Sequence, residues 1–239
     1  MAKRRNAARW IAALLLLGTA VALSSWATWP DVAALARRDP ASTAFIERFR
    51  QRQRDRGASD RVEWRPVPLA RIAPSLRLAV VVAEDIDFFS HHGFATAEMK
   101  KAFADAWEDK EMPRGASTLT QQLAKNLWLS PSRNPWRKLK EALLTWDLER
   151  HLGKRRILEL YLNVVELGPG VYGAEAASRH WFGKSAAALT AREAAQLAAS
   201  LPKPSSWHPG SPSKAYRRRV EIVLGRMEKA GGWVGPLVE

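Results

Sequence analysis

Chemistry in this chain begins where an apolar run meets a cluster of acids, at Glu84-Asp85-Ile86-Asp87-Phe88-Phe89-Ser90-His91-His92-Gly93. Glu84 directly follows Val80-Val81-Val82-Ala83, so its carboxylate starts beside the core rather than in open water. Partial burial raises a carboxyl pKa and makes the group a better proton acceptor than a solvated acid. A charge that simply closes a helix fits the same residues. His91 and His92 are adjacent, do not share a helix face and make a poor metal pair, so a hydrogen-bonded structural histidine is expected there.

A second candidate is Arg114-Gly115-Ala116-Ser117-Thr118-Leu119-Thr120-Gln121-Gln122-Leu123-Ala124-Lys125-Asn126. Glycine followed by small hydroxyl residues at a helix start can turn backbone N–H groups toward an anion, and the helix dipole adds to the attraction. Ser117 and Thr118 would offer hydroxyls, with Gln121, Gln122 and Lys125 on the first turns. Either hydroxyl can equally be a plain N-cap. The third candidate runs from Arg133 through Arg137-Lys138-Leu139-Lys140-Glu141 to Glu149. At about 100° per residue Leu144 and Leu148 flank the azimuth of Glu141, placing a carboxylate beside apolar residues with Arg137 one turn before it. An exposed i, i+4 ion pair is the alternative for Arg137 and Glu141. Together, two half-buried glutamates, a phosphate-suited turn and Lys125, Arg133, Arg137 and Lys138 describe a base and an anion clamp for a sugar bearing a pyrophosphate.

The elements that must position these groups are helical. Leu78, Val81 and Val82 precede Glu84; Ala102, Phe103, Ala106 and Trp107 follow at helical spacing; Leu139, Ala142, Leu143 and Trp146 form an apolar stripe. Ile157, Leu160 and Tyr161 begin a further helix, and Ala194, Leu197, Ala198 and Leu201 another that Pro202 closes. Strand signals are scarce, so a mainly α domain is expected. Before it, Lys3, Arg4, Arg5 and Arg9 precede a stretch without charge, residues 10–29. About 20 apolar residues span a bilayer, and the positive-inside rule leaves residues 1–9 cytoplasmic and the remainder beyond the membrane. A cleaved signal peptide ending near Ala20-Val21-Ala22 is the competing reading. Residues 30–66, with Arg50, Arg52, Arg54 and Arg56, read as a polar-faced helix or stalk linking membrane to domain, and residues 67–239 as the folded domain.

The formal charge of +14 calls for an anionic partner. An exported domain makes nucleic acid a poor candidate and lipid phosphate a good one. Absence of cysteine excludes thiol catalysis, disulfides and Cys-ligated zinc. The 11 tryptophans suit membrane interfaces and carbohydrate grooves.

These stretches resemble the peptidoglycan glycosyltransferases of family 51, nearest to the monofunctional biosynthetic members. The resemblance rests on Glu84-Asp85-x-x-Phe88-x-x-His91-x-Gly93, Gly115-Ala116-Ser117-Thr118-x-x-Gln121-Gln122-x-x-Lys125-Asn126 and Arg137-Lys138-x-x-Glu141. Lys154-x-x-Ile157-Leu158-x-x-Tyr161-Leu162-Asn163 and Leu189-Thr190-x-x-Glu193-Ala194 complete it, in order, across residues 76–204. It implies a lysozyme-like, mainly helical fold with a small flexible lobe, Phe94 to Met112, lying against the membrane. Glu84 would deprotonate the 4-hydroxyl of an incoming lipid II sugar. Glu141 would assist departure of the pyrophosphate, directly or through a divalent cation such as Mg or Mn, with no organic cofactor. Ser117, Gln122, Lys125, Arg133 and Lys138 would hold donor phosphates. The implied setting is the bacterial inner membrane, single-pass, with the catalytic domain periplasmic. Lipid II, the lipid-linked growing strand and cell-wall synthesis proteins would be the partners. Two rivals keep the same letters: a lysozyme-like muramidase and a non-catalytic module binding anionic lipid.

Overall fold

The computed structural model describes residues 29–94, 117–130 and 135–238. Helix α1, Ala44–Asp55, opens at Thr43, whose hydroxyl accepts the Ile46 N–H at 3.1 Å. Helix α2, Pro74–Glu84, has proline in its first turn, where a missing N–H costs nothing. Its Leu76, Ala79, Val80, Val81, Val82 and Ala83 are buried all round, as expected of a helix at the centre of a domain. Helix α3, Leu119–Trp128, helix α4, Pro135–His151, and helix α5, Lys154–Val164, follow. Helix α6, Ala174–Phe182, ends at Gly183 in the left-handed conformation. Helix α7, Ala191–Ser200, begins with a capping box between Thr190 and Glu193. The long helix α8, Lys214–Val238, buries Tyr216, Val220, Val223, Met227, Ala230 and Val234.

Helices α2, α7 and α8 pack on one another, and α3 packs on both α4 and α5. A small three-stranded sheet lies beside them: β1, Glu63–Trp64, pairs parallel with β3, Val171–Tyr172, and β3 pairs antiparallel with β2, Glu166–Gly168. The domain is mainly α, as expected.

The segment read as a polar-faced helix or stalk carries helix α1, which packs on the domain: Ile46 is fully buried, Phe49 sits edge-on to Tyr172, and α1 touches α3. Burying one apolar face outweighs the tendency of its arginine-rich face to stay in water. The apolar stripe of α4 faces outward, with Leu139 51%, Leu143 48% and Trp146 56% exposed. The buried side is the one that carries Glu141, Leu144, Thr145 and Leu148. The membrane segment expected at residues 10–29 lies outside the described residues except for Trp29, and the lobe expected at Phe94 to Met112 except for Phe94; among the described residues no helix is long and apolar enough to cross a membrane.

Asn163 ties the extended approach to α2 into the core. Its amide donates to Val67 O at 2.8 Å, its side-chain oxygen accepts Val67 N–H at 2.9 Å, and its carbonyl accepts Trp64 Nε1–H at 2.7 Å. Gly173, at φ +80°, lies against that same carbonyl, and a β-carbon there would stand 2.5 Å from Asn163 O. Gly173→Ala combines positive φ with a backbone collision. It is expected to lose about 2–4 kcal/mol of stability, measured as a lower midpoint in urea unfolding with an unchanged slope.

Candidate active site

The site is assembled where α2 ends and α3 begins. Asp85 follows Glu84 as the C-cap, and its backbone N–H bonds to Val81 O at 2.9 Å. The buried Asp85 carboxylate accepts the Leu119 N–H at 2.9 Å and lies 2.9 and 3.1 Å from His91 Nε2. His91 Nδ1 accepts the Gly93 N–H at 3.1 Å, which leaves the neutral ring's proton on Nε2, facing Asp85. Gly93 has φ +85°, and a β-carbon would meet Thr145 Cγ2 at 2.9 Å. Its carbonyl accepts the Thr118 hydroxyl at 2.7 Å. The structural role expected of a histidine is therefore taken by His91.

Gln121 closes a capping box, its side-chain oxygen accepting Thr118 N–H at 3.0 Å while Thr118 Oγ1 accepts Gln121 N–H at 3.2 Å. Its side chain is buried. The helix start is less open to an anion than the glycine-hydroxyl pattern suggested, because the N–H groups of Thr118, Leu119 and Gln121 already have protein acceptors. Ser117 is half-buried at the edge of this turn, its carbonyl accepting Gln122 Nε2–H at 3.3 Å. Arg133 lies outside the described residues.

Glu84, whose side chain is 14% exposed, is held from two sides. Gln122 Nε2 donates to one carboxylate oxygen at 3.0 Å and Arg219 Nη2 to the other at 3.0 Å. Tyr161 hydroxyl donates to Gln122 Oε1 at 2.9 Å, which fixes the amide with its NH2 toward Glu84. Burial holds the Tyr161 phenol well above its ordinary pKa, so it remains a donor. Burial also pushes the Glu84 carboxyl above its ordinary range, opposed by the Gln122 hydrogen bond and by Arg219 and Lys125.

Glu141 is 3% exposed and is the partner of Arg137, at 2.6 Å, and of Lys138. Half-buried Lys125 on α3 is near enough to feel both acids; its pKa is lowered by burial and by Arg137 and Lys138, against the pull of Glu141 and Glu84. A divalent cation needs oxygen ligands, yet each Glu141 oxygen already receives a cationic side chain. Among the described residues no cluster of His, Asp and Glu has metal-binding form. The donor set suits an anion, and no step is assigned to a metal.

Sequence reasoning missed Arg219 and Tyr161. Tyr161 was visible as a helix residue and within a quoted family motif, with no role attached, whereas Arg219 stands among three consecutive arginines to which no role was given.

Comparison with known proteins gives the arrangement its class. The family described as Transglycosylase matches residues 50–228, three quarters of the chain, and takes in Glu84, Gln122, Lys125, Glu141, Tyr161 and Arg219. The chain belongs to the transglycosylase family. It is similar to a biosynthetic peptidoglycan transglycosylase of Methylobacillus flagellatus, 40% identical over 92% of this chain and 96% of that protein. A protein of the same name from Thiobacillus denitrificans is 47% identical over 77% and 80% of the two chains. One from Shewanella amazonensis is 50% identical over 72% and 69%.

In this transglycosylase the end of α2 with Glu84 and the start of α3 with Gln122 are held together by the docking that Asp85 makes. Asp85→Ala leaves the Leu119 N–H and the His91 ring without their buried acceptor. The variant is expected to lose about 3 kcal/mol or more of stability, read from denaturant unfolding, and to lose activity even where it remains folded.

Proposed function

We propose that the protein is a peptidoglycan glycosyltransferase that polymerises lipid II into β-1,4-linked glycan strands, inverting the donor's anomeric carbon and releasing polyprenyl pyrophosphate. The single observation that carries this reading is the half-buried Glu84 carboxylate held by Gln122 and Arg219 at 3.0 Å each, and Glu141 ion-paired to Arg137 and Lys138 supports it. In this reading Glu84 is the base, and Lys125, whose pKa responds to both acids, belongs with Lys138 to the cations that meet a phosphorylated leaving group. The names of the similar proteins support the choice of peptidoglycan as product.

Glu84 acts as the general base. It accepts the proton of the acceptor sugar's 4-hydroxyl as that oxygen bonds to the donor's anomeric carbon. The bond from that carbon to the pyrophosphate oxygen breaks, and the electron pair leaves with the pyrophosphate. Lys125 and Lys138 meet the growing negative charge, with Arg133, Ser117 and Gln122 completing the proposed donor site. Arg137 and Glu141 hold this donor site in place through their ion pair at 2.6 Å. Positioning and electrostatic stabilisation of the leaving group account for most of the acceleration in such a scheme. The substrate's lipid and the product strand remain in the membrane, so residues 10–29 are assigned as a single-pass anchor in the bacterial inner membrane, with residues 1–9 cytoplasmic and the catalytic domain periplasmic. Other cell-wall synthesis proteins are the expected protein partners.

Incubating the full chain with lipid II and sizing the products tests the reaction: long strands are expected, and shortening of preformed glycan without polymerisation overturns the proposal in favour of a muramidase. Glu84→Gln is expected to cut polymerisation about 10²–10⁴-fold while lipid II binding stays within a few-fold of the parent. Polymerisation by that variant at the normal rate removes Glu84 as the base.

A further inference from the structure

The C-terminal helix brings two arginines to the end of α2. Arg219 and Arg226 are seven residues apart on α8, so both project from the side of the helix that runs past Glu84. Arg226 Nη1 donates to Val82 O at 3.3 Å and Ala83 O at 3.4 Å. It thereby satisfies carbonyls that the last turn of a helix leaves without partners, and places a cation at the negative end of the helix dipole. Arg219 reaches the side chain itself, at 3.0 Å. Its Nε is buried and has no hydrogen-bond partner among the described residues. The fold therefore leaves one donor orphaned while setting Nη2 on the Glu84 carboxylate, an arrangement that pure stability would not favour.

We propose that Arg219 is a positioning residue for glycosyl transfer: it aims the Glu84 carboxylate and keeps it in the charged form that accepts the proton. The inference rests on the reading of Glu84 as the base.

The groups around Glu84 leave this task to Arg219. On α2 itself, Arg77 is turned away to Ile72 O and Val238 O, and the neighbouring Asp85 is committed to Leu119 N and His91. From α5, Tyr161 is a neutral donor to Gln122. From α3, Gln122 is neutral, and Lys125 divides its attraction between Glu84 and Glu141. From α4, Arg137 and Lys138 are paired with Glu141. From α8, Arg226 is spent on backbone carbonyls. Among the described residues Arg219 is the remaining full charge in direct contact with Glu84, and a guanidinium does not lose its proton on burial. Against it stands desolvation, which favours the neutral, inactive acid. Removing Arg219 leaves desolvation less opposed, so the base must be brought to higher pH before it ionises.

The test is the pH dependence of kcat/KM for polymerisation of lipid II by the full chain, comparing the parent with Arg219→Gln and Arg219→Lys. Arg219→Gln is expected to move the acid limb upward by about 1–3 pH units, with a loss of about ten-fold per unit at a fixed pH on that limb and recovery in alkaline buffer. Arg219→Lys, which retains the charge, is expected to bring the limb back close to that of the parent. A loss by Arg219→Gln that is equal at every pH, or no loss at all, overturns the proposal. If circular dichroism shows Arg219→Gln unfolded, Arg219→Lys decides: a limb near the parent's with a rate within about ten-fold supports the role, and a pH-independent loss beyond about a hundred-fold rejects it. Glu84→Gln separates the two readings. Activity in that variant defeats the base assignment, whereas an inactive Glu84→Gln beside an Arg219→Gln with an unmoved limb defeats only the role of Arg219.

Discussion

A buried aspartate sets the geometry on which the rest depends. Asp85 accepts the first N–H of α3 and faces the His91 ring, so the end of one helix is fastened to the start of another. Two adjacent acids consequently have opposite fates. The charge of Asp85 is consumed within the protein, and that consumption frees Glu84 to stand on the other side of the backbone, within reach of Gln122 and Arg219. A chain with only one acid at this point would have to choose between docking the helices and offering a proton acceptor.

Around that junction the interior carries charge that hydrophobic packing alone would exclude. Glu141 is nearly sealed from water yet bound to Arg137 and Lys138, and half-buried Lys125 feels both glutamates. Burying ion pairs is seldom the most stabilising choice, because desolvation offsets much of their attraction. Under the proposed function the cluster trades some stability for preorganised cations. Gln122 shows the same economy on a smaller scale: its two side-chain atoms connect Tyr161 to Glu84, so an uncharged residue transmits orientation from the core to the reacting edge.

Much of this was legible in the residues. The valine run before Glu84 announced a half-buried carboxylate, and the azimuth of Glu141 between Leu144 and Leu148 announced the second. The errors have physical causes. Helical spacing on α4 marks two apolar faces, and spacing alone does not say which one turns inward; the face with Glu141 did, leaving Leu139, Leu143 and Trp146 outside. Gln121 and Gln122 adjoin in one motif, but successive residues on a helix point about 100° apart, and one caps the helix while the other meets Glu84. Arg219 was hidden among like charges, although Tyr216, Val220, Val223, Met227, Ala230 and Val234 recur at alternating three- and four-residue intervals and could have revealed the helix that carries it.

The fastening of Trp29 and Val238 to the helices of the two acids has a practical bearing. Trp29 donates from Nε1 to Asp147 at 2.9 Å and lies under Lys140, which moors it to the helix of Glu141. At the other extremity Val238 O accepts from Arg77 at 2.9 Å, which moors it to the helix of Glu84. Fusion partners, affinity tags or surface-coupling linkers inserted at either position will therefore tug on a scaffold helix of one acid or the other, and a handle placed on an interior loop, such as the turn around Gly57, would spare both.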